Sequence, residues 1–164
     1  MATIVVTTCV SAHHFSHNPA HPVLFLKEIL HVNIETDMPK PSVLIVEPDG
    51  FLAGIYGRKF EAEGWNVNIA EDLDDAKKTL QKKKIAAVLF EPIISHHEAI
   101  DFVQGVRNDV KTSQMPLVVL SELSERREIE RMRAAGASAY LIKGHFVPSE
   151  AVQKVKALLV SSKI

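Results

Sequence analysis

At 164 residues, 46% of them hydrophobic and 24% charged, the chain has room for one ordinary globular core and a modest extension. A formal net charge of -1 excludes the strong overall field that would draw the molecule to nucleic acid or to an anionic membrane. The single cysteine, Cys9, excludes an internal disulfide framework, and no apolar run approaches the roughly 18 residues of a membrane span, so a cytoplasmic protein is expected.

Residues 1–41 lack a regular pattern. They carry Pro19, Pro22, Pro39 and Pro41 and five histidines, His13, His14, His17, His21 and His31. No Lys or Arg precedes Lys27, so the start has no basic region of the kind that opens a signal peptide. Cys9 and the first four histidines have the make-up of a metal cluster. Pro19 interrupts any helix that would align them, and incidental histidines fit the composition better. Val23–Leu30 could form a short helix. The expectation is a poorly ordered extension over 1–41, with Met38 a candidate for the true start of translation and a folded domain over 42–164.

From Ser42 onward, buried strands alternate with amphipathic helices. Val43–Val46 is a continuous apolar run, as in a strand covered on both faces. A helix from Gly50 to about Glu63 follows, stopped by Gly64. Trp65–Ala70 is a second, more exposed strand, and Leu73–Lys82 a second helix with Asp72 as N-cap. Ile85–Phe90 is strand three and Glu98–Asp109 helix three. Leu117–Ser121 is strand four, and Glu125–Ala135 is a helix ended by Gly136. Ala139–Ile142 is strand five, and the last helix runs from Pro148 to about Val160. Such alternation predicts an α/β doubly wound, flavodoxin-like sheet of five parallel strands in the order 2-1-3-4-5. Ligand chemistry in such sheets gathers at the carboxyl ends of the strands. Glu47, Asp49 and Glu91 are therefore expected to share that edge with Ser121 and Lys143.

These strand-end residues resemble the receiver (CheY-like) domain of bacterial two-component response regulators over residues 42–160. Val-Glu-Pro-Asp at 46–49 stands at the family's acidic pair, Leu-Phe-Glu-Pro at 89–92 at its phosphoacceptor, Leu-Ser at 120–121 at its hydroxyl and Leu-Ile-Lys at 141–143 at its lysine. Tyr140 stands where many members carry a switch aromatic. The resemblance implies a non-enzymatic signalling module with a histidine kinase or a downstream target as partner. Contact is expected through helix four, strand five and helix five, without nucleic acid or membrane.

The departures are equally specific. Glu91 replaces the accepting aspartate and sets its carboxylate one methylene further out, which harms an in-line attack. Pro48 replaces the second acid. Magnesium is thus expected to bind weakly or not at all, through Glu47, Asp49 and Glu91 if anywhere, and no other cofactor is expected. The loop after the acceptor reads Ile94-Ser95-His96, and Gly144 replaces the proline that usually follows the lysine. The leading expectation is a stand-alone pseudo-receiver in a phosphorelay, acting through protein contacts without phosphorylation, with Glu91 and Lys143 in a charge-assisted contact. The alternatives are a switch that accepts phosphate from a histidine kinase and a small-molecule binder that uses the strand-end crevice.

Overall fold

The computed structural model describes residues 39–92 and 96–161. The expected extension lies outside the described residues up to residue 38, as do Ile94 and Ser95. Five strands, β1 (Ser42–Val46), β2 (Asn66–Ala70), β3 (Ala87–Phe90), β4 (Leu117–Ser121) and β5 (Ala139–Ile142), alternate with five helices. The helices are α1 (Gly50–Ala62), α2 (Leu73–Lys82), α3 (His96–Asn108), α4 (Arg126–Ala135) and α5 (Pro148–Ser161). All strand pairs are parallel, and the order is β2-β1-β3-β4-β5, as the alternation predicts.

Residue alternation along the strands builds a core on each face. Leu44, Val46, Val88, Phe90, Leu117 and Val119 meet Ala76 of α2, Phe102, Val103 and Val106 of α3 and Met132 of α4. Val43, Ile45, Leu89, Val118, Leu120 and Leu141 point the other way, onto Tyr56 and Phe60 of α1 and Ala151, Val152 and Val155 of α5. Both faces are covered, so β1, β3 and β4 are almost wholly apolar, whereas edge strand β2 keeps Asn66 exposed. The buried stripe of α1 is Ala53, Tyr56, Gly57 and Phe60. The two small residues let the helix lie close to β2, where a Cβ on Gly57 would sit 3.5 Å from Val67 Cγ1.

Helix ends follow local chemistry. Asp49 caps α1 with bonds from the amides of Phe51 (2.8 Å) and Leu52 (3.2 Å), and Asp72 caps α2 through the Asp75 amide (2.8 Å). Gly136 ends α4 at φ 115°, a conformation that favours glycine. Helix α3 begins at His96, two residues before the sequence-based start, and β3 begins two residues after it. Among the described residues no helix is long and apolar enough to cross a membrane.

Candidate functional site

The register brings the strand-end residues together. Val46 pairs with Phe90, so the residues that follow, Glu47 and Glu91, leave adjacent strands at the same level. The Glu91 amide donates to Val46 O (3.0 Å), the Glu47 amide to Ala70 O (3.0 Å) and the Lys143 amide to Ser121 O (2.8 Å). Backbone pairing thus holds all three charged residues where they leave the sheet.

Lys143 Nζ lies 2.8 Å from Glu47 Oε2 and also donates to Glu91 Oε2. The three side chains are only 10%, 3% and 19% exposed, respectively. One ammonium therefore serves two carboxylates, and with all three ionised the cluster carries one excess negative charge. The effect on the two partners differs. Burial opposes the charge of Lys143, but its hydrogen bonds to Glu47 and Glu91 outweigh that and raise its pKa. Burial likewise raises the Glu91 pKa. The lysine works against that rise, and neighbouring Glu47 reinforces it.

Asp49 does not join this cluster, contrary to the expectation that three acids would face one another. It is exposed, its Oδ1 accepts the two α1 amides, and its own amide donates to Glu47 Oε1 (3.2 Å). The free amides at a helix start are stronger local partners for an aspartate than a site already rich in carboxylate.

Ser121 and Tyr140 form a separate unit beside the charged one. The buried Ser121 Oγ accepts from the Leu123 amide (3.2 Å), and the Tyr140 hydroxyl donates to the Leu123 carbonyl (3.1 Å). Leu123, in the loop between β4 and α4, is thereby held from both sides. Burial raises the Tyr140 pKa, Ser121 opposes the rise, and Glu128 and Glu91 add to it.

Tyr56 is a site residue that the sequence analysis did not single out. It borders the recess formed with Glu47, Glu91 and Leu120, which leaves no space for a water-sized sphere. Its pKa is raised by burial and by Glu47 and Glu91, with Lys143 pulling the other way. A hydroxyl-bearing aromatic on the buried face of the helix after β1 was the available signal.

Magnesium, which the resemblance implies at this edge, requires near-octahedral oxygen coordination. Pro48 offers no side-chain oxygen, Asp49 Oδ1 is committed to the α1 cap, and Glu47 and Glu91 are joined by an ammonium. The residues present do not fit the ion. Among the described residues no group of three or more His, Cys, Asp and Glu side chains could hold a metal.

The fold is the doubly wound one shared by CheY-like proteins, five parallel strands in the order β2-β1-β3-β4-β5 with five helices. Among known proteins, the chain is 27% identical over 123 residues to the phosphate regulon transcriptional regulatory protein PhoB of Rhizobium meliloti, covering 75% of this chain and 54% of that one. It thus spans about half the length of the curated relatives it matches. Chemotaxis response regulator CheY4 of Vibrio cholerae superposes with a TM-score of 0.64 at 20% identity, over 73% of this chain and 98% of that one. A response regulator from Thermotoga maritima gives 0.67 at 22% identity, over 74% and 98%. No protein-family model matches the chain.

Proposed function

We propose that this protein is a cytoplasmic receiver-type module of two-component signalling whose pocket works without phosphorylation and whose output runs through protein contacts. The observation that carries this reading is the position of Lys143, whose ammonium is bound by Glu47 and Glu91 together. An incoming phosphoryl group would meet two carboxylates, one of them on a glutamate displaced by one methylene, and a lysine already engaged by both. Phosphoryl transfer depends on positioning and charge stabilisation, and both are impaired here. The partner surface is assigned to α4, β5 and α5. There a recess of about 420 Å³ is lined by Arg133, Tyr140, Phe146 and Lys154, and Phe146 and Val147 remain partly exposed.

The test is labelling by a small phosphodonor in the presence of Mg²⁺. The natural protein is expected to stay unlabelled, and the double variant Glu91→Asp, Pro48→Asp to gain labelling. Labelling of the natural protein at a level typical of aspartate receivers would reject the reading in favour of a phosphate-accepting switch.

A further inference from the structure

The pocket has acids and a cation, but the cation is part of the chain. We propose that the Lys143 ammonium is the resident cation of this site, replacing a divalent metal ion, and that it closes Glu47 and Glu91 to such ions. The proposal rests on the reading that the pocket does not process phosphate.

Three observations converge on it. The ammonium lies between the two carboxylates, within hydrogen-bond reach of both, in a setting where all three side chains are largely shielded from water. A divalent ion on the same oxygens would have to expel the ammonium or face a second positive charge at close range, where low polarity strengthens the repulsion. Pro48 supplies no side-chain oxygen to offset that cost, and the Asp49 carboxylate is turned to the start of α1, where its Oδ1 accepts from the Phe51 and Leu52 amides.

The lysine is also poorly placed to withdraw. Its amide is bound to Ser121 O (2.8 Å), it bridges to Phe146, and the following turn is closed by the His145 amide on Ile142 O (3.1 Å). Gly144 makes that turn at φ 82°. The Cα of Lys143 is thus fixed by β5 and by the turn after it, and only side-chain rotation could free the carboxylates.

The test follows the melting of the natural protein with MgCl₂ or MnCl₂ at up to about 10 mM, against NaCl of matched ionic strength and without a phosphodonor. No divalent-specific shift is expected. Lys143→Met, which leaves two carboxylates without their cation, is expected to melt lower without metal and to rise by about 4 °C or more with either ion. A divalent-specific rise in the natural protein that is lost in Glu91→Gln would overturn the proposal. So would a folded Lys143→Met that ignores divalent ions, because something other than the lysine would then close the site. Should that variant not fold, the side-chain ¹⁵N signal of Lys143 in the natural protein decides. It is expected to keep its shift and slow proton exchange throughout a Mg²⁺ titration, and displacement would sink the proposal. Without a phosphodonor, these measurements are independent of the labelling that tests the functional reading.

Discussion

At the scale of single residues, the site is set by one cation and two acids, and its pH response follows. Burial raises the Glu91 carboxyl above its ordinary 4.5, with Lys143 opposing and Glu47 adding to the rise. The native state therefore holds this proton more firmly than the unfolded chain does. That contribution to stability is present in full below pH 4.5 and is lost as pH rises through the folded value. Lys143, also raised, gives a contribution that is intact below its ordinary 10.5 and lost only as pH rises through the folded value above that. The natural protein should thus lose stability relative to Glu91→Gln as pH is raised from about 4 to 7. Urea unfolding of both proteins across that range measures the difference directly. A gain for the natural protein over the same interval would contradict the assignment.

At the scale of elements, the strands were the most legible part of the sequence, because β1, β3 and β4 are covered on both faces and are almost wholly apolar. Strand-end chemistry was legible for the same reason, since the residue after a buried run must emerge at the sheet edge. What could not be read were choices made between chemically equivalent partners. Asp49 could serve the pocket or the helix, and only the geometry of α1 assigns it to the cap. Arg107 was missed altogether. It ends the apolar face of α3 but reaches Gly136 O (2.8 Å), Ser113 O (3.1 Å), Met115 O (2.8 Å) and Ser138 Oγ (3.0 Å). Ser113 and Met115 lie in the loop just after α3, but Gly136 and Ser138 are 29 and 31 residues away, so no local pattern marks it. Its guanidinium, with a pKa lowered by burial, clasps the loop before β4 to the turn before β5. A Cβ on Gly136 would come within 2.7 Å of Arg107 Cγ, so the turn is shaped around the arginine as well as around its own φ. Arg107→Ala should cost about 2–3 kcal/mol in urea unfolding, because several carbonyls lose a charged donor at once. Arg107→Lys should recover little, since a single ammonium cannot reproduce the planar fork. Full recovery by lysine would mean that charge alone matters there.

At the scale of the whole molecule, the net charge of -1 conceals a separation of sign. Acids directly follow four of the five strands, as Glu47, Glu71, Glu91 and Glu122, and Lys143 follows β5, whereas Lys82, Lys83, Lys84, Arg107 and Arg133 lie at or just beyond helix ends. A parallel sheet with right-handed crossovers places all helix starts at one edge and all helix ends at the other, so this distribution complements the helix dipoles. Carboxylates thus gather at the pocket edge, and Lys143 is the internal answer to two of them. The same architecture orders local stability. Strand β3 is paired on both sides and buried at every residue, whereas β2 is paired only with β1 and is exposed at Asn66 and Ile69. Opening β2 leaves the β1-β3-β4 pairing intact, but opening β3 divides the sheet. Amide hydrogen exchange under native conditions should therefore be slowest at Val88–Phe90 and the central residues of β4, at rates set by global unfolding. The β2 amides should exchange faster, through local opening, and should show a weaker dependence on added denaturant. Equal protection and equal denaturant dependence in β2 and β3 would mean that the sheet opens only as one unit, and the ordering argued from pairing and burial would not hold.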